Sequence, residues 1–283
     1  MTTIWFSTNI PEMRAISAFN RVSTNISEIQ QRITTGQRIN SGRDDPGGLV
    51  IREGLRAEIK GVQSALTESN QMENMLNVAS NSMMQLLELL VGSDPSNPDD
   101  SGLIGVLRGS LEHTDKKDFG EKFMKLYDAV ITTAKYNNQE LLGGAFDRKL
   151  NLGPGGGTLD IKIATDLRSA SGTEAADLVT KLAAIDETDA TQQAAITAAE
   201  VLQKKIAETI GALGGNQNLV AMNQRLLDSR LTTLISAEGS ISNIDAAVES
   251  SRLARAELLA QNAMQSILYN RSFAAFSVRS LFG

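Results

Sequence analysis

TTGQRINSGRDDPGGLVI, residues 34–51, gathers four glycines, one proline, two arginines and the adjacent carboxylates Asp44 and Asp45 into one short window. Such a window either holds a phosphate, performs acid–base chemistry, or joins two helices. A phosphate loop needs GxxxxGK[ST], or GxGxxG after a strand, so that successive backbone N–H groups converge on the anion. Neither spacing is present. Asp44 and Asp45 are sequence neighbours whose carboxylates diverge, a poor arrangement for an acid/base pair or a metal clamp. The joint accounts for more residues: Asp45 is placed to cap a helix, Pro46 suits its first position, where a missing N–H costs nothing, and both acids favour the positive end of its dipole.

Outward from the joint, the pattern is helical on both sides. Ile16, Phe19, Val22, Ile26, Ile29 and Ile33 recur every three or four residues, close to the repeat of a coiled coil, and Gly36 offers the stop. A second helix is expected over about 48–92, with Val62, Leu66, Leu76, Met83 and Leu87 at heptad-compatible spacing and Met72, Met75, Ala79, Leu86 and Leu90 widening the face. GSDPSNPDDSG, residues 92–102, reads as a loop. Phe119, Phe123, Leu126 and Val130 mark a third helix ending near Asn137. Alternation through Leu150 and Leu152, then Leu159, Ile161 and Ile163, across the turn GPGGGT predicts a β-hairpin at about 148–164. From about Glu174 the chain reads as helical again, with breaks expected at GALGGN, residues 211–216, and near Gly239. Leu227, Leu231, Leu234, Ile241, Ile244 and Val248 form the last stripe.

A helix apolar along one stripe must bury that stripe against another helix. The two ends of the chain are each other's obvious partners. The expected fold is mainly α: a long antiparallel helical bundle or coiled coil, with paired N- and C-terminal helices and one small β-hairpin. Apolar surface left over on the terminal helices points to burial between subunits.

Composition narrows function further. Aromatic residues make up 4% of a chain that is 41% hydrophobic, which suits packed helices. Net charge is −6 without a dense Lys/Arg cluster, which argues against nucleic-acid binding. There is no cysteine, and His113 is the sole histidine, so thiolate chemistry and HExxH zinc sites are excluded, and neither metal nor cofactor is expected. GPGGGT joins two strands and is followed by no phosphate-binding lysine. The start, MTTIWFSTNIPEMRAIS, lacks a basic region followed by an apolar run, and no window approaches about 18 apolar residues, so neither a Sec leader nor membrane insertion is expected.

RITTGQRINSGRDDPGGLVI, residues 32–51, resembles the signature of bacterial flagellin. The similarity continues in IKGVQSALTESNQMENMLNVASNSM and YNNQELLGGAF, and ISNIDAAVESSRLARAELLAQNAMQSIL, residues 241–268, is similar to the family's C-terminal signature, including A-x-[IL]-[IL]-x-Q from Ala256 to Gln261. The resemblance implies a filament subunit, exported unfolded by the flagellar secretion apparatus and without enzymatic activity. It implies an inner tube from residues 1–36 and 246–283, a spoke at 37–47, a helical core at 48–245, and no outer variable domain. Implied partners are further copies of the chain, an export chaperone, the filament cap protein and the hook-associated junction proteins. Subunit packing is expected at Ile16, Phe19, Val22, Ile26, Ile29, Ile33, Leu259, Ile267 and Leu268, and through Arg38, Asn40 and Arg43 of the spoke. Asp44-Asp45-Pro46 also resembles the hook–filament junction protein of the same superfamily, the alternative reading. SMMQLLELLVG departs from the family members recognised by the flagellin Toll-like receptor, because Gln85 and Leu87 stand where they carry arginines.

Overall fold

In a computed structural model, residues 10–92, 102–110, 112–144, 146–163, 166–170, 173–186 and 188–282 are described, with the side chains of Thr173 and of residues beyond Ser272 excepted. Helices α1 (Ile10–Thr35), α2 (Pro46–Val91), α3 (Leu103–Arg108) and α4 (His113–Thr133) lead to strands β1 (Lys135–Tyr136), β2 (Gln139–Glu140), β3 (Phe146–Asn151) and β4 (Thr158–Ile163). Helices α5 (Thr173–Ala183), α6 (Asp189–Ser242) and α7 (Ala246–Phe282) complete the order. The chain divides into two compact units, Met1–Glu58 with Thr233–Gly283, and Ile59–Thr232. The fold is mainly α, as expected.

Within Ile59–Thr232 the core is built on α2. Met72, Leu76, Ala79, Met83, Leu86 and Leu90 are buried at intervals of three and four residues, while Leu66 and Leu87 sit half-buried at the edge of the stripe. Phe123, Tyr127 and Ile131 of α4, Leu178 and Leu182 of α5, and Leu202, Ile206, Leu213 and Val220 of α6 complete the layer. Strands β3 and β4 pair antiparallel, with Leu150 opposite Leu159 and Phe146 opposite Ile163, and add Phe146, Leu150, Ile161 and Ile163 to the same core. Buried Asn223 of α6 ties the hairpin down, its amide donating to Ser69 Oγ at 3.0 Å and to the Asn151 carbonyl at 3.3 Å.

Several expectations are corrected. The third helix ends at Thr133, because Asn137 and Asn138 adopt positive φ angles of 48° and 63° and close a two-residue turn between β1 and β2. Its buried face carries Phe123, Met124, Tyr127 and Ile131, leaving Phe119 and Leu126 exposed. GALGGN does not interrupt α6, nor does Gly239. The breaks fall instead between α5 and α6 and at Asn243–Asp245. Between α5 and α6 the Thr188 and Thr191 hydroxyls and the Thr188 N–H hold the Asp186 carboxyl down at about 2, the bond from the Thr188 hydroxyl contributing most. The loop expected at 92–102 lies outside the described residues except for Gly92 and Gly102.

Candidate functional site

The connector between α1 and α2 is built by its own polar residues. Gly36 leaves the helix at φ +69°, a conformation that costs a Cβ-bearing residue strain, and its N–H still reaches the Arg32 carbonyl at 2.8 Å. The chain then pairs with the break after α6: the Arg38 N–H donates to the Ser242 carbonyl at 2.6 Å, the Ile244 N–H donates to the Gly36 carbonyl at 3.2 Å, and Gln37 bridges Asn243. Arg38 also straddles the Ile241 carbonyl with Nε at 3.2 Å and Nη2 at 3.0 Å. Asn40 donates to the Gln37 carbonyl at 3.1 Å, and Arg43 reaches Glu28 at 3.1 Å. Each of the three spoke residues therefore bonds within its own chain.

The adjacent aspartates divide the remaining work. Asp44 Oδ2 accepts the N–H groups of Asn40 and Ser41 at 3.0 and 2.8 Å and the Ser41 hydroxyl at 3.0 Å, and these bonds, led by the Ser41 N–H, hold its carboxyl below the usual carboxylate range. Asp45 Oδ1 accepts the Gly48 N–H at 2.8 Å, capping the first turn of α2 after Pro46. No acid/base pair results, because both carboxylates are engaged by donors of the loop itself.

Two further residues, Arg52 and Gly48, fix the connector. Arg52 is 7% exposed and turns back from α2 to donate to the Ile39 carbonyl and, at 3.3 Å, to Gln37 Oε1. Gly48 lies where a Cβ would fall 2.3 Å from Asp45 Oδ2 and 2.8 Å from Ile39 Cδ1. Asp45 and Gly48 share a turn and were legible in principle; Arg52 meets a carbonyl far back along the chain, beyond the connector's own aspartates.

Helices α1 and α7 pair antiparallel, with Glu12 and Arg271 at 2.8 Å near one end and Arg32 and Glu249 at 3.8 Å near the other. Ile29, Ala256 and Ile267 are buried between them, and Phe19, Val22, Ile26 and Ile33 are half-buried. Ile16, Leu259 and Leu268 are exposed, Leu259 by 51% and Leu268 by 59%, together with Leu258, Met264 and Tyr269. Asp245 caps α7 by accepting the N–H groups of Ala247 and Val248. Among the described residues no group of three or more His, Cys, Asp or Glu could hold a metal, and no helix is long and apolar enough to cross a membrane.

The arrangement offers helix pairing and a braced joint. Residues 6–93 match the family model of the bacterial flagellin N-terminal helical region. A flagellin of Halalkalibacterium halodurans is 28% identical over 268 residues, 92% of this chain and 93% of the relative. A flagellin of Listeria monocytogenes is 23% identical over 277 residues, again 92% and 93%. A putative flagellar hook-associated protein of Vibrio parahaemolyticus superposes on 71% of this chain and all of its own, with a TM-score of 0.48 at 13% identity.

Proposed function

We infer that this chain, a flagellin by the match of residues 6–93 and by relatives spanning 92% of its length, is a structural subunit of the bacterial flagellar filament. The observation that carries the reading is the α1–α7 pair: two long helices that bury Ile29, Ala256 and Ile267 against each other yet leave Leu258, Leu259, Met264 and Leu268 in water. Apolar surface of that extent on a helix pair calls for further helices. Flagellins are structural proteins, and this one performs no catalysis.

In this reading residues 1–36 and 246–283 form the inner tube of an extracellular filament, 37–47 the spoke and 48–245 the surrounding core. Ile16, Leu259 and Leu268, with the half-buried Phe19, Val22, Ile26 and Ile33, pack between subunits, whereas Ile29 and Ile267 join α1 to α7 within one chain. The chain leaves the cell unfolded through the flagellar secretion apparatus, escorted by a chaperone, and orders its ends on adding beneath a cap protein, with hook-associated proteins at the filament base. Electron microscopy of the purified, concentrated chain tests the assignment. Long helical polymers are expected; a chain that stays short or monomeric under polymerising conditions overturns it and leaves the junction role.

A further inference from the structure

The two flanks of α7 carry opposite charges. On one flank, Arg252 and Arg255 join Arg32 of α1 around a depression of ≈ 310 Å³ floored by Ile29, Ala256 and Leu259. Arg32 and Arg252 both meet Glu249, at 3.8 and 2.7 Å, whereas Arg255 has no ion pair among the described residues. On the other flank Glu257 is exposed, likewise without an ion pair among them, beside exposed Met264 and Leu268. At 3.6 residues per turn, Glu257 points about 160° away from Arg255 and about 140° from Arg252. The face buried against α1, marked by Glu249, Ala256 and Ile267, lies between the two flanks.

Cation type follows the same division. Every lysine lies between Lys60 and Lys205, so the terminal unit, residues 1–58 and 233–283, carries arginine and no lysine. Guanidinium is more weakly hydrated than ammonium and binds carboxylate through a planar fork, which suits a cation destined for an interface, whereas lysine suits a surface that stays in water.

We propose that the Arg32–Arg252–Arg255 depression on the α1–α7 pair receives the Glu257 flank of a second copy of this chain, with Met264 and Leu268 of that copy covering Leu259. This rests on the filament reading and names one of its contacts. Charge complementarity selects the occupant: one flank has a surplus guanidinium over an apolar floor, and the opposite flank has a surplus carboxylate beside apolar side chains. Because the two halves of the contact lie on different flanks, it is heterologous. It cannot close on itself in a dimer, and successive copies continue it into an open helical array.

Charge exchange tests the contact on the full chain. Arg255→Glu places a carboxylate opposite the neighbour's Glu257, and Glu257→Arg places a guanidinium opposite the neighbour's arginines, so each variant alone is expected to leave at least tenfold more protein unpolymerised in a sedimentation assay. An equimolar mixture of the two is expected to polymerise in alternation: the introduced carboxylate of one variant meets the introduced guanidinium of the other, and at the next contact the native Arg255 meets the native Glu257. The mixture separates a contact between copies from a folding defect, which mixing does not repair. Polymerisation of either single variant at the wild-type level overturns the proposal, as does failure of the mixture. Failure of the wild-type chain to polymerise overturns the filament reading and this contact with it.

Discussion

The guanidinium of Arg52, on the second turn of α2, donates to the carbonyl of Ile39 in the connector, and Ile39 is 1% exposed. One buried cation thus holds the loop that precedes its own helix. Lysine carries the charge without the fork and cannot reach the Ile39 carbonyl, Gln37 Oε1 and Glu53 together. Arg52→Lys is expected to leave a buried acceptor short of a charged donor, at a cost of about 1.5–3 kcal/mol. Hydrogen exchange at the Asn40 and Ser41 amides should accelerate roughly 10- to 100-fold, as that free energy implies. Unchanged protection would show that the loop stands without Arg52.

Gly48 sets helix propensity against packing. Alanine is the better helix former by about 1 kcal/mol. The added methyl would nevertheless meet Asp45 Oδ2 at 2.3 Å and Ile39 Cδ1 at 2.8 Å, in the cap and the connector core. Gly48→Ala is therefore expected to destabilise, by about 1–3 kcal/mol. Gly54→Ala is the opposite control, because nothing lies within 4 Å of its Cβ position. Chemical denaturation of the two variants checks the sign.

The glycines of α6 make the reverse prediction. No atom approaches within 4 Å of a Cβ placed on Gly211, Gly214 or Gly215, and all three lie inside an unbroken helix. Each change to alanine is expected to stabilise by up to about 1 kcal/mol and, for a domain of roughly 150–250 residues, to raise the unfolding temperature by about 2–4 °C. A lowered melting temperature in the triple variant would contradict an unbroken α6.

Tyr127 fixes the alkaline limit. Burial, reinforced by the negative charges of Asp128, Asp166 and Glu174, pushes its phenol well above its ordinary value. A raised value in the folded state means that the neutral phenol is favoured by folding. That stability is complete below about pH 10, the unfolded value, and is lost as pH rises from there toward the folded one. Absorbance titration should show a late phase in which Tyr127 ionises only together with loss of helix, and Tyr127→Phe should remove that phase.

Much of this was legible in residue spacing, and the exceptions have identifiable causes. The α1 stop is announced by Gly36, and the hairpin by alternation on either side of GPGGGT, because both are local backbone demands. The end of α4 also carried a local sign, the pair Asn137–Asn138, hidden beneath the helical stripe that precedes it. GALGGN misled because three glycines lower helix propensity without forbidding the helix; Leu213, Val220 and Leu227, buried on the same helix, hold it in register. At the connector, Asp45 and Pro46 follow from capping chemistry. Arg52 does not, since the acceptors that justify burying a guanidinium become its neighbours only when the chain folds back.

The backbone pairing at Gln37 and Asn243 has a mechanical consequence. Gly36 and Ile244, and Arg38 and Ser242, are bonded across the breaks between α1 and α2 and between α6 and α7. A pull applied along α7 therefore cannot unravel the Asn243–Asp245 turn without also loading the strand that leads out of α1. The two crossings share the force as a rivet shares it between two plates, and thrust or drag entering through either terminal helix is carried by both strands at once.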